Sequence, residues 1–235
     1  MDETAFRTVG GAPVPAVTAD EMRRVDEVAV DAFGIGVLQM MEHAGRALAA
    51  TIRERADGPV TVLAGNGGNG GGGLCAARHL RNRGVEVRVV LDRPPGELGG
   101  PAAHHHETLA AMGVPVAVGS DAVADDADAV VDALVGYGLT GPLSGTAAEL
   151  AGTTAVAPTV VSLDVPSGVD ATSGGAPGVA VDPDCVVTLA LPKTGLAEQD
   201  GDLLLADIGL PAGVYDRLDV PVFGFDDYVV GLRDA

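Results

Sequence analysis

Four short stretches of the chain carry residue types that can do chemistry. The first, Ala64-Gly65-Asn66-Gly67-Gly68-Asn69-Gly70-Gly71-Gly72-Gly73-Leu74, holds seven glycines in nine positions between an apolar run (Val60 to Leu63) and helix formers. Strand, glycine turn and helix start in that order let backbone N–H groups converge on a phosphate. Gly65, Gly67 and Gly70 also fit G-x-G-x-x-G, with Asp92 about 20 residues on, the offset of a ribose-binding acid in dinucleotide folds. Glycine turns join strands to helices on steric grounds too, but seven exceed what a tight turn needs.

The other three stretches are Asp132-Ala-Leu-Val-Gly136-Tyr137-Gly138-Leu139-Thr140-Gly141-Pro142, Asp164-Val-Pro-Ser167-Gly168-Val-Asp170 and Pro192-Lys193-Thr194-Gly195-Leu196. Two glycine loops supply amides for an anionic ligand, while Asn69, Asp132, Asp164 and Ser167 supply hard oxygen donors for a cation. Lys193 is the sole lysine among 14 basic residues, the other 13 being arginine. A compact, titratable ammonium differs from a guanidinium in reach and in how far its pKa can be tuned, so its retention points to a functional requirement. Several reaction classes are excluded. No lysine follows the glycines, so there is no P-loop; no G-x-S-x-G elbow, C-x-x-C or H-E-x-x-H occurs. His104-His105-His106 would point about 100° apart on a helix, cannot converge on one ion, and reads as a solvated helix face.

Each of these loops must follow a strand. Short apolar, often β-branched runs occur at Val60–Ala64, Val85–Asp92, Val114–Val118, Ala127–Leu134, Thr159–Val165, Cys185–Leu191 and Leu203–Ile208, with Pro221–Phe225 as a further edge candidate. Helical periodicity lies between several of them, at about residues 72–83 and 102–112. Strands apolar on both faces and separated by helices predict an α/β fold with a mostly parallel sheet covered on both sides. In such a sheet ligands sit beyond the carboxyl ends of the strands, where all four stretches lie. Ahead of the sheet, Thr18 or Asp20 caps a helix through Met22, Val25, Val28 and Ala29, which Gly34-Ile35-Gly36 ends. A second helix, about residues 37–55, is expected to bury Leu38, Met41, Ala44, Leu48 and Ile52. Glu42 and His43 read as its solvated face, or as a wall of the site or a subunit contact. Residues 1–16 lack periodicity and read as a flexible arm; residues 17–235 read as one domain.

Hydrophobic residues make up 47% of the 235, which excludes a disordered body. The formal net charge of −19 argues against nucleic acid and anionic membrane as partners. No apolar run approaches the ~20 residues of a membrane span. Met1-Asp2-Glu3 is acidic without an apolar h-region, and two cysteines make no disulfide framework, so a cytoplasmic location is expected. Abundant acid with almost no lysine suggests a halophilic chain.

In order and content, Gly-Asn-Gly-Gly-Asn-Gly-Gly-Gly-Gly-Leu, Asp-Ala-Leu-Val-Gly-Tyr-Gly-Leu, Asp-Val-Pro-Ser-Gly-Val-Asp and Pro-Lys-Thr-Gly-Leu resemble the NAD(P)H-hydrate epimerase family, the YjeF N-terminal domain. Met22…Asp26…Met41-Glu42-His43-Ala44-Gly45-Arg46 resembles that family's leading helices, and the resemblance spans about residues 18–225. It implies a three-layer α/β/α Rossmann-like sandwich, a homodimer, and interconversion of the R and S forms of hydrated NADH or NADPH. It implies dinucleotide contacts at Gly68, Asn69, Gly70, Gly71 and Gly72, at Gly136, Tyr137, Gly138, Leu139, Thr140, Gly141 and Pro142, and at Asp164. It further implies one K+ per subunit, on Asn69, Asp132 and Ser167. The dehydratase half fused in some members has no counterpart in these residues, so a functional link to a separate dehydratase is expected. Where the family carries Asn-Asn-Gly-Gly-Asp, this chain has Gly68-Asn69-Gly70-Gly71-Gly72; His43 stands where Asn is common and Tyr137 where Thr is common. These departures imply a remodelled ligand pocket. Asp164 and Lys193 are the expected catalytic pair, with Lys193 orienting the reacting group or tuning the acid. The alternatives are a non-catalytic nucleotide-binding module on the same fold and an NAD-dependent dehydrogenase.

Overall fold

The computed structural model describes residues 6–197 and 199–234. Ten strands form one sheet: β1 (Phe6–Thr8), β2 (Pro13–Val14), β3 (Val60–Ala64), β4 (Val87–Leu91), β5 (Val116–Val118), β6 (Ala129–Ala133), β7 (Val160–Leu163), β8 (Cys185–Leu189), β9 (Asp202–Ala206) and β10 (Val229–Asp234). Their spatial order is β2-β1-β10-β9-β8-β7-β6-β3-β4-β5. The seven strands from β9 to β5 are parallel; β10, β1 and β2 add an antiparallel edge. The order reverses between β3 and β6, because the chain leaves β3 toward β4 and returns to β3's other side as β6. At such a switch the loops leaving adjacent strands diverge and open a crevice.

The parallel strands are buried on both faces, as β3, β6 and β7 show along their whole length. On one face, α2 (Val37–Arg53), α3 (Gly68–Arg81) and α4 (Gly100–Ala111) bury Leu48, Ile52, Leu74, Leu80 and Leu109 against Val60, Val62, Val131 and Val161. On the other, Leu150 and Ala151 of α5 (Gly145–Thr153) pack on Leu63, Val90 and Val130. This makes three layers. A separate cluster joins α1 (Ala19–Phe33) and the short α6 (Ala212–Asp216) over Ala190 and Leu191, beyond the end of β8. Thr18 and Glu21 form a reciprocal capping box at the start of α1, and Gly34, at φ 68°, closes it in the left-handed conformation.

Several expectations are corrected here. Residues 6–16 are not a flexible arm: β1 pairs with β2 on one side and with β10 on the other, and Phe6 and Val14 are fully buried. The segment lacks periodicity because three- and two-residue strands are too short to display one. Residues 1–5 of the predicted arm lie outside the described residues. Pro221–Phe225 forms no strand; the strand in this part of the chain is β10, further on, and it lies inside the sheet between β9 and β1. On α2 the buried set contains Met40 in place of Leu38, which is 40% exposed, and Met41 is only half-buried. α3 begins at Gly68, ahead of the expected position, because the close seating of Gly70, Gly72 and Gly73 on the sheet offsets the poor helix propensity of glycine. On α4 the middle histidine, His105, is buried at 5% exposure with no hydrogen-bond partner at Nε2, and burial holds its pKa below the ordinary value. Glu42 receives Arg78 and His79 of α3, so it ties two helices together.

Candidate active site

The glycines of α3 divide into two groups by what surrounds them. A Cβ at Gly70 would lie 1.7 Å from the Gly65 carbonyl oxygen, one at Gly73 would lie 2.4 Å from Ala133 Cβ, and one at Gly72 would lie 2.6 Å from Leu163 Cδ2. These residues exist so that α3 can sit directly on β3, β6 and β7. Gly67, at φ 104°, and Gly68 instead face open space, and with Asn66 and Asn69 they line a cleft of about 680 Å³. That volume is in the range of small-molecule sites, and the cleft lies at the sheet's switch point. The first turn of α3 therefore presents free amides to it.

The floor of the cleft comes from the ends of β6, β7 and β8. Directly after β7, Asp164 adopts φ 70°, a conformation that non-glycine residues enter at a cost of order 1–3 kcal/mol. Ala190, just beyond β8, has φ 62°. At Asp164 the turn leaves the carboxyl group bridging two loops. Its Oδ1 is paired with Lys193 Nζ, and its Oδ2 accepts from the Tyr137 backbone N–H at 3.0 Å. Lys193 is fully buried, and its ammonium also donates to the Leu189 carbonyl at 2.9 Å and lies 5.7 Å from the Tyr137 ring centroid. The lysine loop is held from outside: Val17 N–H donates to Pro192 O at 3.0 Å and Thr194 N–H donates to Val17 O at 2.9 Å.

Beneath the floor Asp132 is completely buried. It accepts from Ser162 Oγ at 2.8 Å, Ser167 N–H at 2.8 Å and Ser167 Oγ at 2.5 Å. Burial pushes its carboxyl above the ordinary range, against the pull of these donors. Among the described residues no basic side chain pairs with it. Ser167 Oγ also lies 3.1 Å from the Val135 carbonyl. Asn69, with its amide turned so that donors face acceptors, donates to Leu163 O at 3.1 Å and accepts from Gly136 N–H at 3.2 Å. A buried carboxylate, a hydroxyl, a carbonyl and an amide oxygen around one loop are all hard donors, a set that suits a hard cation such as K+ and not a soft one.

Of the sequence-derived site residues, Gly68, Asn69, Gly136, Tyr137, Gly138, Asp164 and Lys193 line the cleft together. Gly70, Gly71 and Gly72 do not; all three are buried. Leu139, Thr140 and Pro142 line a shallower recess of about 390 Å³ beside it, with Gly141 in the same turn at φ 74°. That recess also contains Asp92, which is gripped by Arg93 through two contacts of 2.9 and 2.8 Å. The sequence reading named Asp26 only as part of the leading helices and gave it no place in the site. Asp26 lines the cleft from α1 and accepts from the Tyr137 hydroxyl at 2.5 Å.

The family model for the YjeF-related protein N-terminus matches residues 37–195, well over half of the chain. The chain belongs to this family. A YjeF-related relative from Dehalogenimonas lykanthroporepellens, named NAD(P)H-hydrate epimerase, is 43% identical over 93% of this chain and 91% of its own length. Another of that name, from Rhodopirellula baltica, is 33% identical over 88% and 89%. In Salinibacter ruber a relative named bifunctional NAD(P)H-hydrate repair enzyme Nnr is 38% identical over 86% of this chain, but only 42% of that protein is covered. The crystal structure of yeast ynu0 superposes with a TM-score of 0.81 over 93% of this chain and 100% of its own, at 22% identity, and shares the fold. The YjeF N-terminal match begins at α2, so α1, which carries Asp26, lies ahead of it. No helix among the described residues is long and apolar enough to cross a membrane.

Proposed function

We propose that this chain is an NAD(P)H-hydrate epimerase, interconverting the R and S forms of hydrated NADH and NADPH in nicotinamide cofactor repair. The observation that carries the reading is the buried Lys193–Asp164 pair on the floor of the cleft. Relatives bearing that enzyme name over nearly their whole length supply the substrate class.

The hydrate carries its hydroxyl on C6, next to the ring nitrogen, as a carbinolamine. Proton transfer to that hydroxyl lets it leave as water while the nitrogen lone pair forms an iminium; water then adds to the other face and gives up a proton. Asp164 exchanges a proton with the reacting oxygen at its carboxyl group. Lys193 and the Tyr137 N–H fix the carboxyl's orientation, and the strained backbone at Asp164 keeps it turned to the cleft. The amides of Gly68 and Asn69 at the start of α3 meet the anionic diphosphate, as helix N-termini do. Asn69, Asp132 and Ser167 would hold potassium, whose bound charge offsets that of Asp132 and of the phosphates. The reading extends to a homodimer, to a functional link with a dehydratase acting on the S form, and to a cytoplasmic setting.

R/S interconversion followed by NMR or chromatography tests the assignment. Asp164→Asn and Lys193→Ala are each expected to lower the catalysed rate by about 100-fold or more, within the range of lost acid–base catalysis. Turnover unimpaired in both variants would overturn these roles. Titration calorimetry with intact and hydrated cofactor separates this enzyme from a binding module, which would bind hydrate without converting it.

A further inference from the structure

A carbinolamine that inverts at carbon needs protons handled on both faces of a planar cation. One carboxyl reaches one face easily; the other face is served best by a second group across the ring. Inverting glycosidases meet the same need with two carboxyl groups about 6.5–9.5 Å apart. Three further carboxyls line the cleft described above, Asp26, Glu27 and Asp31 of α1, and Asp26 is the one that Tyr137 holds.

Asp164 rises from the sheet edge, whereas Asp26 comes from α1, which forms a wall of the cleft. One residue connects them. Tyr137 gives its backbone N–H to Asp164 Oδ2 at 3.0 Å and its hydroxyl to Asp26 Oδ2 at 2.5 Å, so one residue holds both carboxyls at the cleft. Asp26 Oδ1 has no protein donor among the described residues. The two carboxyls also sit in different surroundings. Asp164 faces an ammonium. Burial raises the pKa of Asp26; the nearby charge of Asp164 adds to this, and the Tyr137 hydroxyl and Lys193 oppose it. Two acids whose environments differ in this way can divide into a proton donor and a proton acceptor.

We propose that Asp26 is the second catalytic carboxyl of this site, serving the face of the nicotinamide ring that Asp164 does not. The proposal rests on the epimerase reading. In one direction the Asp26 carboxylic acid gives its proton to the C6 hydroxyl, the C6–O bond breaks, water leaves, and the ring nitrogen lone pair becomes the C=N bond. A water then attacks C6 from the side of Asp164. Its oxygen forms the new C–O bond, the C=N pair returns to nitrogen, and its proton passes to the Asp164 carboxylate. Solvent returns that proton to Asp26, and the reverse reaction exchanges the two roles.

The test measures two rates in oxygen-18 water: conversion of R to S, and incorporation of solvent oxygen into the unconverted epimer. Asp26→Asn is isosteric and can still accept from Tyr137. It is expected to lower interconversion about 100-fold while oxygen exchange in one epimer, served by Asp164 alone, stays within about tenfold of wild type. Tyr137→Phe retains both carboxyls and is expected to keep the wild-type ratio of the two rates. Interconversion unchanged in Asp26→Asn overturns the proposal, as does a parallel fall of both rates, the mark of a purely structural role. The same uncoupling in Tyr137→Phe also overturns it, since Asp26 would then act only by positioning the tyrosine. Wild-type protein that does not interconvert the epimers removes the epimerase reading and this proposal together; the other outcomes remove this proposal alone.

Discussion

The chain uses arginine at 13 of its 14 basic positions and lysine at one, and the structure supplies a physical reason for the exception. Lys193 is fully enclosed, with its ammonium between the Asp164 carboxyl and the Leu189 carbonyl and near the Tyr137 ring. A planar guanidinium is wider, carries five donors and has acceptors for only two of them here. Lys193→Arg, which preserves charge, is therefore expected to lose at least tenfold in R/S interconversion and to lower the melting temperature. Wild-type activity in that variant would show that charge alone is required. The significance of Lys193 was legible in the sequence because rarity is visible there. Asp26 was not. Its partner hydroxyl lies 111 residues away, and an acid on a helix beside Met22 and Val25 looks like any other solvated position. Tyr137 was legible as part of a loop, but not as a bridge, since that role depends on where two other elements end.

Helix α3 shows how one sequence signal can have two causes. The glycine run reads as a phosphate cradle, yet only its first part, Gly67 to Asn69, meets the cleft; the remainder lets the helix rest on the sheet. The two causes make different predictions for the same substitution. Gly73→Ala would bring a methyl group to 2.4 Å from Ala133 Cβ, and overpacking of a close-packed interface costs about 1–3 kcal/mol. For a domain of this size that is a fall of about 2–12 °C in melting temperature. Gly68→Ala meets nothing nearer than the tip of Met41, at 3.9 Å, so its melting temperature is expected to stay within about 1 °C of wild type, as surface substitutions do, while affinity for the nucleotide weakens. Thermal unfolding by circular dichroism, together with nucleotide titration, checks both; equal losses of stability would refute the division. The strands of the parallel sheet were legible because burial on both faces makes them continuously apolar. β1, β2 and β10 were not: β1 and β2 are too short to show a pattern, and all three are held by antiparallel pairing, β1 and β10 with each other across the length of the chain.

At the scale of the molecule, the net charge of −19 and the buried Asp132, which no basic side chain meets among the described residues, lead to two separable salt effects. Surface repulsion among acids is screened by any salt: the Debye length falls from about 10 Å at 0.1 M to about 3 Å at 1 M. A cation at the proposed set of Asn69, Asp132 and Ser167 would act differently. It would stabilise the folded state by mass action, with an effect that sets in near the dissociation constant, grows only logarithmically beyond it and depends on which ion is present. Melting temperature measured against KCl and against NaCl is therefore expected to show an early rise in KCl that NaCl does not match, followed by a shared rise toward molar salt. Removing K+ by exhaustive dialysis and restoring it at millimolar concentration in a background of constant NaCl isolates the first component. Superimposed KCl and NaCl curves would count against a selective potassium site, and a flat response above 0.5 M would count against adaptation to high salt. Asp132→Asn separates the two further, because it removes the only charge in the proposed ligand set and changes the surface by nothing. In that variant the early rise is expected to disappear while the shared rise at high salt remains.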